Sequence, residues 1–224
     1  MSWLITPQQR IPAVIGEPFG GGFFAGYISH TADGNPTHAL IVAPRATGAT
    51  GTGYTLTTNL AWKTTTTTTP GATSQFDGVV NTDAIIASTE GIAAHPAANF
   101  CVNLRSNPVG GLGGFADWYL PSAFELNIAY FNLKPSTAVN IVSAGSNVYS
   151  VPLRNNNYTD AYPSQTALTA FNTTAEAFAA NLHWSSTDST ANTTNYLDFN
   201  NGTAAAMNKA GNLNRLRAFR RIAL

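Results

Sequence analysis

Between Pro121 and Pro135 the apolar residues fall in two adjoining helical stripes, Phe124, Ile128 and Phe131 on one and Leu126, Tyr130 and Leu133 on the other. Apolar residues on more than one face predict a helix buried on most sides. Ser122 with Glu125 three residues later has the spacing of a capping box, and Pro121 fixes the direction in which the chain arrives. Pro135 predicts the stop, because the residue before a proline is pushed out of the helical region. The glycine cluster Gly110–Gly114 and the run Asp117-Trp118-Tyr119-Leu120 lead into this helix. An element buried on so many sides needs the rest of the chain around it.

Elsewhere the pattern is strand-like. Phe23, Phe24, Tyr27 and Ile28 follow the glycines at 20–22, Asp33-Gly34-Asn35-Pro36 signals a turn, and 37–43 reads as the returning strand. Trp184–Thr187 opens a second set, in which Tyr196, Leu197 and Phe199 lead into the hairpin signal Asn200-Asn201-Gly202. The alternation from Arg215 to Ile222 reads as a last strand with an arginine-bearing face. Thr82 is expected to cap a short helix through Ala84, Ile85 and Ile86, and Pro96 to start another with Ala97, Phe100, Cys101 and Leu104 on one face. Residues 136–183 read as a loop-rich insertion with a short helix around 175–180. Residues 45–60 are Gly/Thr-rich loop, and Thr64–Thr69 is a loop or edge strand too polar to bury. Pro7, Pro12 and Pro18 hold residues 1–19 as an extended arm, whose Trp3, Leu4 and Ile5 are candidates for packing back on the domain or docking on a partner.

Composition narrows the setting. At 224 residues the chain is one domain, with or without insertions, and 44% hydrophobic content makes it a folded one. Charged residues are only 10%, against roughly a quarter in ordinary soluble proteins, and the formal net charge is zero. Such a balance leaves no electrostatic footprint for general nucleic-acid binding. The surface is therefore expected to be Thr, Asn, Ser and Gly, which suits a particle coat or a sugar-facing surface. One cysteine excludes an intramolecular disulfide framework. No basic segment followed by a long apolar run stands near residue 1, and no run approaches a membrane span, so neither a signal peptide nor membrane insertion is expected.

Catalytic patterns are weak. There is no G-x-S-x-G elbow, Cys101 falls in a predicted helix, and His30, His38, His95 and His183 have no metal-ligand spacing. Glu125 is explained by capping, so a pair of catalytic carboxylates lacks support, and no enzyme is expected. Asp117, beside two aromatic residues, needs a partner, and a bidentate pair with Arg215 or Arg217 is the expectation. The rival use of these arginines is a basic patch for phosphate. Calcium is weighed at Asp77, Asn81 and Asp83, and at Asp198, Asn200 and Asn201, but both sets are spaced like turns and caps. The sequons at Asn157, Asn172, Asn192 and Asn201 mean only that Asn and Thr are abundant. Binding candidates lie in 154–166 and 188–196, rich in Asn, Thr, Ser and Tyr: Arg154, Asn155, Asn156, Asn157, Tyr158, Tyr162, Asn192 and Tyr196, with Trp184 beside them. Tyr supplies stiff amphipathic area and Asn adjustable hydrogen bonds, the pairing a sugar ring requires.

The segment Asp117-Trp118-Tyr119-Leu120-Pro121-Ser122, followed by Glu125-Leu126, resembles the signature of a phage and bacterial domain family with a C-type-lectin-like fold. That fold is distantly shared with the sulfatase-modifying factors and a phage major tropism determinant. Gly20–Gly26, Ala39–Pro44, Trp62-Lys63, Asp77-Gly78 with Asn81-Thr82, Trp184–Thr187 and Arg215–Arg221 stand in the family's order, so the likeness spans residues 20–221. The chain lacks the cysteine pair of the formylglycine-generating branch, which sets that oxidase activity aside. The resemblance implies an α+β fold with two main helices on a short twisted, mixed or antiparallel sheet, the first hairpin pairing with the last strand, and long polar loops. Asp117, Trp118, Tyr119, Arg215 and Arg217 would be structural. It further implies a virion surface protein of tail-fibre or tail-tip type that binds a host-surface glycan or envelope protein and contacts other virion proteins through its arm. Fibre-tip analogy adds a homo-oligomer, with a trimer as the guess. A capsid decoration, head-fibre or tail accessory protein held by that arm is the alternative.

Overall fold

The computed structural model describes residues 10–50, 58–172 and 175–224, so Trp3, Leu4 and Ile5 lie outside the described residues. In chain order the elements are β1 (Pro18–Phe19), β2 (Gly22–Ile28), β3 (His38–Val42), α1 (Arg45–Gly48), α2 (Gly78–Ala87), α3 (Pro96–Asn103), α4 (Ala123–Leu133), β4 (Ser150–Val151), α5 (Thr169–Asn172), β5 (Leu182–Asp188), β6 (Thr193–Asp198), β7 (Ala204–Asn208) and β8 (Phe219–Ala223). The fold is α+β, and the strands form two antiparallel sheets. One runs β1-β2-β3-β8 with β4 added to β2, the other β5-β6-β7.

Helix α4 has the caps its sequence predicts. The Ser122 hydroxyl accepts from the Glu125 N–H, and the Glu125 carboxylate accepts from the Ser122 N–H at 2.7 Å. Leu126, Ile128, Ala129, Tyr130 and Leu133 are buried, and burying each large apolar side chain contributes roughly 1.5–3 kcal/mol. Trp118 and Tyr119 are fully buried ahead of it. Tyr119 exchanges backbone hydrogen bonds with Phe219 of β8, and β8 pairs along β3 from His38–Ala223 to Val42–Phe219. The first hairpin and the end of the chain thus meet beside the Trp-Tyr pair.

Several expectations are corrected. Asp77, not Thr82, caps α2, its carboxylate accepting from the Val80 N–H at 2.9 Å; Thr82 is buried inside the helix, where its hydroxyl accepts from the Leu120 N–H. Three helices, not two, exceed two turns among the described residues: α2, α3 and α4. The helix expected at 175–180 lies earlier, at Thr169–Asn172, because Glu176 and Phe178 are drawn into tertiary contacts. Glu176 accepts from Arg217 and from the Arg45 N–H, while the Phe178 ring stacks on Phe199 at 4.2 Å. The last strand starts at Phe219, four residues later than the alternation suggested. Cys101 is buried in α3, where desolvation drives its thiol pKa far up. No helix among the described residues is long and apolar enough to cross a membrane.

Candidate functional site

A groove of about 320 Å³ opens where three parts of the chain converge: the start of α4 (Ala123, Phe124, Asn127), the loop Ser143–Ser146 with Asn157, and the strands β6 and β7 (Asn195–Leu197, Ala204–Ala206). Gln75 completes the lining. Of the two loop-rich segments singled out from composition, the first contributes Asn157 and the second Asn195 and Tyr196.

Backbone contacts fix the start of α4 in place. The Ala123 N–H donates to the Thr187 hydroxyl of β5 at 3.1 Å, and the Phe124 N–H to the Gln75 carbonyl at 2.8 Å. Asn127 is held by a network beneath the groove. Its side-chain oxygen accepts from Arg154 Nη2 at 2.6 Å and from Asn147 Nδ2 at 3.1 Å, while its Nδ2 donates to the Tyr158 hydroxyl at 2.8 Å. Arg154 lies over the Phe131 ring at 4.1 Å, a cation–π contact that holds the guanidinium flat behind the site. Gly145 follows the backbone onto Tyr158 at φ +118°, where a Cβ would meet the Tyr158 ring at 2.4 Å. Only glycine lets the loop lie there.

Arg154 and Tyr158 are therefore supports, not contact residues: Tyr158 is buried, and burial pushes its hydroxyl pKa up to about 12. Trp184 is fully buried, its Nε1 donating to the Leu60 carbonyl at 2.7 Å, so it belongs to the core and not to a ligand face. Asn155, Asn156, Tyr162 and Asn192 are exposed but do not line the groove. Gln75, Asn127, Ser143, Ser146 and the alanines of β7 escaped the sequence reading. The one signal for Asn127 was an amide in the middle of an apolar helix; the others depend on which loops meet.

Charge is concentrated elsewhere. Asp117 pairs with Arg220, at 2.7 Å to Nε and 2.9 Å to Nη2, and not with Arg215 or Arg217. Arg220 also donates to the Gly20 carbonyl and covers the Phe115 ring at 3.7 Å. Arg217 pairs instead with Glu176, between the rings of Phe171 and Phe178. Arg215 sits at a bridge with His183, its Nε buried without a hydrogen-bond partner among the described residues. Lys63 and Lys209 lie under the threonine run. Lys63 Nζ donates to the carbonyls of Thr67 and Thr68 and pairs with Glu90; Lys209 Nζ donates to the Thr67 carbonyl and pairs with Asp188 at 2.6 Å. Hydrogen bonds from Lys63 and Thr67 hold the Glu90 carboxyl down at about 2. Thr64–Thr69 is thus a loop wrapped over two ammonium groups.

A third polar cluster surrounds α2. Arg221 reaches Asp77 at 2.8 Å, and His30 packs on His38 at 4.4 Å between centroids. Burial, with Arg221 adding to it, lowers His30 to about 4. Glu125 is fully buried, accepting from the Tyr119 hydroxyl at 2.7 Å and the Gly78 N–H at 3.2 Å. Burial raises its pKa to about 7 although these donors favour the carboxylate. The acids weighed for calcium are engaged singly: Asp77 with its cap and Arg221, Asp83 facing Arg105 at 3.6 Å, and Asp198 in the turn through the Asn200 N–H. Among the described residues no three His, Cys, Asp or Glu side chains gather as a metal set would.

Comparison with protein-family models returns no match, and comparison with curated proteins returns none either.

Proposed function

We propose that this chain is a C-type-lectin-like binding module displayed on a phage virion, and that it captures a host-surface receptor, glycan or envelope protein, in the groove between α4 and β6–β7. The groove carries this reading: about 320 Å³ of open space, walled by two loop-rich segments and backed by a buried hydrogen-bond network. Loops set on a rigid scaffold are where binding residues concentrate. Support for the fold comes from the neighbouring position of the first hairpin and last strand around Trp118 and Tyr119. Support for the virion setting comes from the sequence resemblance. Such a site is weak singly and gains by display in several copies, a trimer on fibre-tip analogy, since linked sites rebind at high effective concentration.

The test is immunogold labelling of particles with antibody to this chain, joined to an adsorption assay. Label at the tail tip or fibre, with purified chain competing for adsorption, is the expected result. Label on the head with no competition would replace the receptor reading with a decoration role.

A further inference from the structure

The lining chemistry narrows what the groove can hold. Gln75, Asn157 and Asn195 present amides, Ser143 and Ser146 hydroxyls, Phe124 an aromatic ring and Ala206, opposite Asn195, a methyl group, and among the described residues no Lys, Arg, His, Asp or Glu lines the groove. An anionic sugar would leave water for a site with no cation to meet it, a desolvation that goes uncompensated. A neutral sugar exchanges its water hydrogen bonds for amides that both donate and accept, and its apolar ring face finds Phe124. Calcium-bridged capture requires a cluster of oxygen ligands with carboxylates among them. The nearby acids are occupied, Asp188 by Lys209 and Asp77 by Arg221. The volume lies at the small end of the roughly 300–1,000 Å³ of ligand pockets, which suits the end of a glycan and not the length of a polymer.

We infer that the groove takes an uncharged saccharide terminus, one or two pyranose rings, without calcium and without dependence on ionic strength. This rests on the receptor-binding reading above. The experiment is saturation-transfer NMR on the full chain with methyl glycosides of glucose, galactose, mannose and N-acetylglucosamine and their disaccharides. N-acetylneuraminic acid and heparin fragments form the anionic arm. Measurements run with EDTA, and again near about 1 M NaCl, where screening shortens to about 3 Å. At least one neutral sugar is expected to bind unchanged in both conditions, and to lose about tenfold or more in affinity in Ala206→Glu and in Asn157→Ala. Both positions are exposed, and an unchanged melting temperature verifies that each variant folds. Anionic sugars binding in place of neutral ones, loss with EDTA, or an affinity untouched by both substitutions overturns the inference. Host-cell binding that no neutral sugar competes sinks the inference and leaves the receptor role standing; binding neither cells nor sugars sinks both.

Discussion

The threonine loop at 64–69 and the groove at the start of α4 are both polar, yet they are built on opposite principles. Under the loop, Lys63 and Lys209 are almost wholly withdrawn from solvent and act as fasteners, Lys63 gathering two carbonyls and a carboxylate and Lys209 one of each. Among the described residues the groove has no charged lining, and a supporting cation, Arg154, stands behind Asn127. Five of the eleven Lys and Arg side chains are buried: Lys63, Lys134, Lys209, Arg217 and Arg220. In a chain without disulfides, charge serves to pin long loops to the core, and the outer surface is left to amides and hydroxyls. Low charge in the composition thus has a structural meaning: the few ions present belong largely to the scaffold.

This contrast breaks most visibly at Lys209. Lys209→Met strands Asp188 as an unpaired buried carboxylate, and loss of one partner of a buried pair costs about 3–5 kcal/mol. Urea unfolding reads that loss directly, and a midpoint close to that of the unaltered chain would contradict the fastening role. Next in size is the pair at the chain's end. A double-mutant cycle of Asp117→Ala with Arg220→Ala is expected to show a coupling of about 0.5–3 kcal/mol, and the same cycle with Arg217→Ala almost none. Coupling to Arg217 alone would invalidate the assignment.

Acid dependence sharpens the account further. Burial lowers His183 to about 3 from an ordinary 6.5, so the unfolded chain takes up its proton first. The contribution of His183 is complete above about pH 6.5 and is lost as pH falls toward 3. Glu125 works in the other direction. Raised from 4.5 to about 7, it disfavours the folded state progressively as pH climbs through that interval. Melting curves from pH 4 to 8 are expected to flatten at the acid end in His183→Phe and to rise toward neutral pH in Glu125→Gln, both relative to the unaltered chain. Shifts in the same direction for the two variants would refute the buried placement of one of them. The smallest effect belongs to the groove: Ala206→Glu, exposed on the edge strand β7, is expected to change stability by less than about 0.5 kcal/mol.

What could be read from the sequence was local. The capping box at Ser122, the stop before Pro135, the helix start at Pro96 and the turn at Gly202 depend on neighbours within a few residues, and all four are present. Register was not legible. Asp117 meets Arg220 because the Tyr119–Phe219 bridge sets the strands in that alignment, and an alternating arginine run does not encode it. Nor does an alanine-rich window announce that Glu176 will leave helical geometry to reach Arg217. For the groove, composition singled out segments that supply part of the lining, and only assembly separates Asn157 and Asn195, which line it, from Tyr158 and Trp184, which are sealed inside.

The most direct measurement is hydroxyl-radical footprinting of the full chain with and without host envelope fraction, since an exposed tyrosine outside the groove serves as internal control. Phe124 is expected to become protected while Tyr162, 58% exposed and outside the groove, keeps its reactivity. Protection of Tyr162 with Phe124 unchanged would place the receptor contact elsewhere and contradict the account.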